Sequence, residues 1–310
     1  MKKIALIIGI LIIVSANKAE AQQIPLFSQY MFNGTYINPA NAGSKDAFFG
    51  NLLYRKQWIG FNGAPQTAMF SIDGSLAGGS NIGLVYVNDK IGANYTNSVM
   101  VDYAYRFNVS QKGRLSFGLS GGFTNYGVNR TKLINEGTDI DPNLANTKNI
   151  WKPNIDAGVY FDMNNYYVGF SVLGIVPHKA DKTMHIVRSN ANYLLTGGVT
   201  IPLSDKVNLV PSALLKSDFE NPLNVDINAM LQVKEKFWIG AGYRTGVLWL
   251  TDVSKETRQY DAISLIVETF VTDRIRVGVS YDFDLVKISN NNNGSIEISL
   301  GYYFTKPKRK

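Results

Sequence analysis

The chain has 310 residues, a formal net charge of +7 and 45% hydrophobic residues. It contains no Cys, which excludes disulfides, thiolate metal sites and a lipid anchor on Cys. The positive charge is not concentrated within the body of the chain, and this argues against nucleic-acid binding.

The first 21 residues have the pattern of a secretory signal peptide. A Lys-Lys pair at 2–3 precedes an apolar run at 4–14, and a small-x-small cleavage site stands at 19–21. The apolar run is too short to cross a bilayer comfortably. We therefore expect residues 1–21 to be removed and the mature protein to be exported. No later segment is long enough for a membrane helix, so the exported chain is either soluble or a membrane β-barrel.

Residues 22–46 form a separate, irregular region. Its central stretch, FSQYMFNGTYINPANAG at 27–43, is rich in aromatic residues and Asn and carries no charge. It has neither the period of a helix nor that of a strand. A segment so poor in charge is not expected to be a solvated tail.

From residue 47 to residue 305, nearly every segment alternates between apolar and polar residues. In 98–107, the odd positions from Val99 to Phe107 are apolar or aromatic, whereas Asp102 and Arg106 stand on the other face. Period two over about ten residues predicts a strand, and this length suits tilted strands that cross a bilayer. The predicted strands are 47–58, 66–74, 80–88, 96–107, 114–129, 153–162, 165–173, 191–202, 206–216, 223–234, 236–248, 260–271, 273–283 and 294–305.

The connections between these strands alternate in length. Every second one is tight, as at 108–113 and 203–206, and the others are mostly longer, as at 130–152 and 174–190. Short turns at one rim and long loops at the other are typical of an outer-membrane β-barrel. The even strand count places both chain ends at the short-turn rim, which is periplasmic in such barrels. The alternative is a soluble β-sandwich or a two-domain all-β protein.

Two further patterns favour the barrel. Aromatic residues cluster near strand ends, where outer-membrane barrels carry interfacial girdles. Charged residues fall on the polar faces, as a polar lumen requires; they include Asp102, Asp156, Asp226, Glu268, Arg276 and Glu297. The predicted fold class is therefore all-β: a transmembrane antiparallel outer-membrane β-barrel of about fourteen strands, at residues 47–305.

The sequence offers little for catalysis or metal binding. Its two His residues, His178 and His185, share one predicted loop without helical spacing or a carboxylate pattern that would complete a metal site. Residues 139–143 resemble the start of a calcium loop, but the Gly and Glu required further on are missing. No Ser is marked as the partner of a catalytic His. No catalytic residue, metal ligand or cofactor is predicted, and we expect a protein that is not an enzyme.

Residues 306–310 form a basic tail beyond the last strand. Charge repulsion and Pro307 are expected to keep it unfolded. It is either a solvated tail or a docking site for an acidic periplasmic partner. The docking residues would be Lys306, Lys308, Arg309 and Lys310.

Several blocks of the sequence resemble one known family. They are PLFSQYMFNGTYINPANAG (25–43), YRKQWIGFNGAPQTAMFSIDG (54–74), PSALLK (211–216), FWIGAGYR (237–244), GVSYDFDL (278–285) and NGSIEISLGYYF (293–304). In combination they are similar to the signatures of the PorP/SprF family of the type IX secretion system of Bacteroidota. Two departures stand out: Gly34-Thr35 replaces the usual Pro-Leu, and Ile296 replaces a usual His. The second departure leaves Glu297 without an assigned family role.

The resemblance implies a non-enzymatic outer-membrane barrel that works with secretion and gliding-motility machinery. Some members help to export or display large surface adhesins, and others associate with periplasmic parts of the apparatus. The expected partners are outer-membrane lipids and either a secreted adhesin or a periplasmic type IX secretion component, with no nucleic acid. A passive outer-membrane channel or small-solute transporter is the alternative function.

The irregular region at 22–46 precedes the first strand, so we expect it to start in the periplasm and to fold against the barrel mouth or into the lumen. The alternative is a periplasmic docking segment that leaves the pore open. In the plug hypothesis, Pro39 and Gly43 turn the chain into the first strand. The side chains expected to pack in the lumen are Phe27, Tyr30, Phe32 and Tyr36, and those expected to hydrogen-bond its lining are Asn33, Asn38 and Asn41.

Overall fold

A computed structural model describes residues 24–129, 149–177, 190–247, 261–285 and 293–305. Four predictions fall outside these ranges: the signal peptide at 1–21, the calcium-like loop at 139–143, the loop with His178 and His185, and the basic tail at 306–310. Within the described ranges, no helix is long and apolar enough to cross a membrane.

The described residues form one closed antiparallel sheet. Strands that are neighbours in the chain pair with each other, except that β8 and β9 both pair with β10; β15 pairs with β1 and β10 with β11, which closes the sheet. The strands are β1 (Phe49–Lys56), β2 (Gln66–Ser75), β3 (Ser80–Ile91), β4 (Asn94–Asn108), β5 (Gly113–Val128), β6 (Ile150–Met163), β7 (Tyr166–Leu173), β8 (Asn192–Val199), β9 (Ile201–Ser204), β10 (Val207–Ser217), β11 (Leu223–Val233), β12 (Phe237–Val247), β13 (Ala262–Phe270), β14 (Ile275–Asp284) and β15 (Ser295–Tyr303).

The segments β8 and β9 are one strand interrupted at Thr200. Both pair with β10, and the register shifts where Val207 and Asn208 meet β9. Pro202 lies in this irregular stretch and has no N–H to donate to a ladder. Counted this way, the described ranges contain the fourteen strands that the sequence predicts, and the outer-membrane β-barrel fold is confirmed.

Side chains alternate between the two faces of the barrel wall as predicted. On β4, the odd positions from Val99 to Phe107 are exposed on the outside, whereas Met100, Asp102, Ala104 and Arg106 are buried inside. The outward aromatic side chains of Phe107 and Phe117 stack near the short-turn rim, with ring centroids 6.1 Å apart. An apolar exterior with aromatic residues near the rims is what a lipid environment requires.

The two rims differ in the length of their connections. One rim, here called the short-turn rim, carries 76–79, 109–112, 164–165, 205–206, 234–236 and 271–274. The other, the long-connection rim, carries 57–65, 92–93, 129–149, 174–191, 218–222, 248–261 and 285–294.

The wall is tallest at one part of the long-connection rim. The predicted loop at 89–95 is instead a tight hairpin, because β3 continues to Ile91 and β4 begins at Asn94. The strands β4, β5 and β6 have 15, 16 and 14 residues, against 8 in β7. Cross-strand pairing continues to the ends of these long strands, which explains why the loop is shorter than expected.

Residues 24–46, here called the internal segment, lie inside the barrel. They contain the short helix α1 (Gly34–Ile37) and the 3₁₀ turns Tyr30–Phe32 and Pro39–Asn41; another 3₁₀ turn, Ala77–Gly79, lies between β2 and β3. Such tight local turns pair backbone groups within the segment where it forms neither a long helix nor a strand.

A charge on the outer face should destabilise the barrel. Leu119 lies near the middle of β5 and is 63% exposed. We expect Leu119→Arg to lower the free energy of unfolding in a lipid bilayer by about 2–4 kcal/mol, because the guanidinium would enter hydrocarbon. Leu119→Met is the matched control and should change it little. Equal stability of the Arg and Met variants in denaturant titrations would contradict a lipid-facing position for this residue.

Candidate functional site

The internal segment runs through the lumen from one half of the barrel to the other. The backbone carbonyl of its first described residue, Ile24, accepts a hydrogen bond from the Lys216 ammonium (3.1 Å). Lys216 lies at the long-connection end of β10. At its other end, Asp46 pairs with Arg114 (2.8 Å) near the short-turn end of β5. This differs from the expected start at the short-turn side: the described part of the segment begins in the long-connection half, whereas Phe32 and the end of the segment at Asp46 lie near the short-turn rim.

The backbone of the internal segment makes a charge-assisted contact with the wall. Glu297 is fully buried and accepts hydrogen bonds from two successive amides, those of Ser28 (2.6 Å) and Gln29 (3.1 Å). The Ser28 hydroxyl donates to the Asp282 carboxylate (2.7 Å). Bonds from amides to a carboxylate are stronger than those between neutral groups. Residues 28–29 are therefore a firm attachment of the segment to the wall.

Arginine side chains balance the carboxylates that hold Ser28. Arg55 pairs with both Asp282 (2.7 Å) and Glu297 (2.5 Å), and Arg244 pairs with Asp226 (2.6 Å). All five side chains are buried. A buried charge that loses its partner costs several kcal/mol. These ion pairs fix the positions of the carboxylates. Ser28 therefore binds where Arg55 already holds Asp282 and Glu297 in place.

Phe27 forms the first of two apolar contacts between the internal segment and the wall. It packs in a buried cluster with Leu53, Met69, Val85, Val87 and Met100. The Tyr36 ring meets Phe27 edge-on at 5.0 Å, and its hydroxyl donates to the Pro25 carbonyl (2.8 Å). Full burial of one such apolar side chain stabilises by roughly 1.5–3 kcal/mol. Burial also raises the pKa of Tyr36, so its hydroxyl stays protonated and can donate.

Tyr30 forms the second apolar contact, on the opposite part of the wall. It packs with Ile37 of the segment and with Leu173, Leu194 and Leu214 of the barrel. Its hydroxyl lies 3.2 Å from the Ser212 hydroxyl, and burial raises the pKa of Tyr30 above its usual range. The segment therefore contacts two facing parts of the wall at once.

Phe32 contributes less than the other predicted aromatic residues. It is half-buried near the short-turn rim, where its ring contacts Trp238 (6.1 Å) and lies under the Arg276 guanidinium (5.1 Å). The same Arg276 pairs with Glu268 and donates to the Phe32 carbonyl (3.3 Å). A guanidinium over an aromatic face is an attractive contact. Phe32 thus links the segment to charged residues at the mouth of the barrel.

Two of the three predicted Asn contacts reach the lining. Asn33 accepts from Asn51 (2.5 Å). Asn38 donates to the carbonyls of Val159 (3.0 Å) and Phe170 (3.3 Å), while its own oxygen caps the 3₁₀ turn at Ala40 (2.9 Å). The third, Asn41, accepts a hydrogen bond from Ser44 (3.0 Å) within the segment.

Pro39 and Gly43 direct the chain towards β1. Pro39 begins the second 3₁₀ turn and is buried. Gly43 has a φ of +69°, which favours glycine. Its amide donates to Asp73 (2.8 Å) and its carbonyl accepts from Arg106 (2.7 Å), so this tight turn is held by charged side chains on both sides.

Glycines on the inner wall make room for the internal segment. A Cβ on Gly118 would overlap the backbone of Ala40, and a Cβ on Gly158 would overlap the Asn38 side chain. Both glycines lie on the predicted inward faces of β5 and β6. Their position was visible in the sequence as Gly on a polar strand face, although that pattern alone does not reveal what approaches so closely.

The sequence reasoning missed the residues of this firm attachment. Glu297 was placed on the polar face of the last strand but was given no role, and Ser28 and Gln29 were not singled out. The sequence did contain one signal for this role: the alternation along β15 places the carboxylate of Glu297 on an inward face. The candidate docking residues Lys306, Lys308, Arg309 and Lys310 lie outside the described residues.

The sequence model of one family matches residues 19–302; its description is "Type IX secretion system membrane protein PorP/SprF". The chain belongs to the PorP/SprF family. Membership in this family and the barrel fold together indicate the outer membrane. No curated protein matches the chain.

Solved structures share the barrel fold with this PorP/SprF protein at low sequence identity. The ΔS2S3 mutant of TodX, a monoaromatic hydrocarbon channel, is 10% identical, with 92% of this chain and 95% of that chain covered and a TM-score of 0.50. The toluene transporter TbuX of Ralstonia pickettii is 10% identical over 88% and 93%, with a TM-score of 0.49. Omp33 of Acinetobacter baumannii is 11% identical over 84% and 100%, with a TM-score of 0.48. At this identity, the similarity concerns the fold alone.

Removing the charge of Glu297 should loosen the start of the internal segment. In Glu297→Gln, the amides of Ser28 and Gln29 lose a carboxylate, and each charge-assisted bond is worth about 1.5–3 kcal/mol. The natural chain has no Cys, so Leu26→Cys supplies a unique buried reporter. We expect its maleimide labelling to become roughly tenfold faster or more when Glu297→Gln is added, as a loss of 1.4 kcal/mol already implies.

Glu235→Gln, in an exposed turn, is the control for this labelling experiment. It removes the same charge without touching the segment and should leave the labelling rate unchanged. An unchanged rate in Glu297→Gln would show that Glu297 does not hold the segment.

Proposed function

We propose that this PorP/SprF protein is a non-enzymatic accessory barrel of the type IX secretion and gliding-motility machinery, and that it binds a cargo adhesin or a periplasmic component of that machinery. The observation that carries the proposal is the internal segment, which occupies the lumen through contacts with facing parts of the wall. A barrel filled by its own chain is suited to hold partners rather than to pass solutes. In this role the internal segment is a plug.

The proposed orientation follows from the two rims. Short turns face the periplasm and long connections face outward in bacterial barrels of this kind. β15 ends at the short-turn rim with Tyr303, so the basic tail beyond it would meet periplasmic partners. The end of the internal segment, held by Arg106 and Arg114, lies at the same rim. Periplasmic machinery would therefore meet both features on one surface.

The long-connection rim carries an ordered aromatic contact that supports binding of cargo there. In the connection 57–65, Trp58 and Phe61 meet edge-on at 6.5 Å, and Phe61 is 43% exposed. Backbone bonds between Ile59 and residues 293–294 hold this loop against the neighbouring connection (2.8 and 2.9 Å). Exposed aromatic residues on a fixed frame are favourable anchors in protein interfaces.

A conductance measurement separates the accessory role from the alternative of a passive channel. We expect the intact protein to stay silent in planar bilayers, because the plug fills the lumen. Deletion of residues 24–43 should produce reproducible channels, since a barrel of fourteen strands encloses a wide lumen. Heat-dependent migration in SDS gels checks that the deletion variant folds. Large, frequent channels from the intact protein would favour the transporter alternative and contradict the plug.

Complementation of a gene deletion tests the accessory role itself. We expect the deletion strain to lose surface display of large adhesins and the wild-type gene to restore it. Phe61→Ala should restore display only in part, because it removes an exposed anchor at the outward rim. Val271→Ala, an exposed position at the opposite rim, is the control and should restore it fully. Normal adhesin display in the deletion strain would refute the proposal, and full rescue by Phe61→Ala would refute the assigned contact.

A further inference from the structure

A cavity of about 140 Å³ lies between the internal segment and the tall part of the wall. Thr35 and Tyr36 line it from the segment, and Asp89, Asp102 and Asp156 line it from β3, β4 and β6. It occupies the long-connection half of the lumen, because it also touches Gly174 and Asn190, which lie in the connection between β7 and β8. The plug function does not require this space.

Three buried carboxylates face this cavity without a basic partner. Within the described ranges, none of Asp89, Asp102 and Asp156 forms an ion pair. Asp89 accepts a bond from the Thr67 hydroxyl (2.6 Å), and Asp156 accepts one from the Gly174 amide (2.7 Å). The carboxylates on the opposite wall differ, since Asp226, Asp282 and Glu297 all pair with Arg. The cavity therefore brings together three buried acidic side chains with no basic side chain paired to them in the described ranges.

Oxygen atoms without hydrogen-bond partners also surround the cavity. They are Thr35 Oγ1 on the internal segment, Asp102 Oδ2 on β4, Asn154 Oδ1 on β6 and Asn192 Oδ1 on β8. Thr35, Asp102 and Asn192 are only 5%, 2% and 2% exposed, and Asn154 is half-buried. Buried polar atoms are nearly always paired in folded proteins, because an unmade hydrogen bond costs folding free energy. Four such oxygens from four different elements thus point to a bound group that donates hydrogen bonds.

The spacing of these groups argues against a metal ion as that donor. Among the described residues, no three His, Cys, Asp or Glu side chains are grouped closely enough to hold a metal. The remaining lining includes the apolar side chains of Val85, Val87 and Met100 together with the rings of Tyr36 and Tyr126. Such a wall accepts hydrocarbon, and aromatic faces also attract cations.

We propose that this cavity binds a small organic ammonium compound. Its ammonium group donates hydrogen bonds to Asp102 and Thr35 and is balanced by the charge of Asp156. Its short apolar chain lies against Val87 and Met100. This site is independent of the secretion role, since it depends on the cavity and not on the partner held at either rim.

The experiment is calorimetric titration of the full mature protein in detergent micelles with n-butylammonium, and with 1-butanol as a neutral compound of similar size. We expect saturable binding of n-butylammonium and at least about tenfold weaker binding of 1-butanol. Asp102→Asn should weaken n-butylammonium binding about tenfold, because the carboxylate charge is lost while the shape is kept. Asp205→Asn, in an exposed short turn, is the matched control and should leave the affinity unchanged.

Thr35→Val provides a second variant that keeps every charge of the wall. It removes only the unpaired hydroxyl and should weaken n-butylammonium binding a few-fold, so the proposal stays testable where Asp102→Asn folds poorly. Four results would overturn the site. They are equal binding of 1-butanol, binding of Ca²⁺ with no binding of n-butylammonium, no saturable binding because the cavity holds water only, and unchanged affinity in both variants.

Discussion

The register between β1 and β15 is the constraint on which the interior depends. At this seam Arg55 stands directly opposite Glu297, and Leu53 opposite Ser299. Because side chains alternate along a strand, a slip of one residue would turn Ile296 or Ile298 inward and Glu297 into lipid. Pairing of β1 with β15 therefore closes the sheet and also brings Arg55 and Glu297 together. Glu297 then accepts hydrogen bonds from the amides of Ser28 and Gln29 in the internal segment.

Once the barrel is closed, its interior has two chemically different walls. On β1 and β11–β15 the carboxylates are matched by arginines, among them Arg55, Arg244 and Arg276. On β3, β4 and β6 the carboxylates facing the cavity have no such partner within the described ranges. The internal segment donates the backbone amides of Ser28 and Gln29 to Glu297 on the first wall. It packs Phe27 against β1–β4 and Tyr30 against β7, β8 and β10. The carboxylates of one wall thus receive the amides of Ser28 and Gln29, whereas those of the other wall line the cavity.

Strands and their faces could be read from the sequence because each depends only on local alternation. The inward positions of Asp102 and Glu297 follow from period two alone, and the missing charge of residues 27–43 already set that region apart. The direction of the internal segment, the local bond of Asn41 and the role of Glu297 could not be predicted. Each depends on which strands become neighbours across the lumen, and a single strand carries no information about that. The hairpin between β3 and β4 was missed because polar residues at 88–97 read as a loop, although cross-strand pairing keeps them in the sheet.

The means by which the internal segment is held also bear on whether it can leave. Water could replace most of its polar contacts, because an emptied lumen would hydrate Glu297, Asp282 and Arg55. Water could not replace the burial of Phe27 and Tyr30, which contact facing parts of the wall and must both be released before the segment can move. The glycines beside Ala40 and Asn38 add close packing that a partly shifted segment would lose. These contacts favour a segment that stays in the lumen over one that swings out. This suits a barrel whose proposed role is to hold a secretion partner without opening a path for solutes.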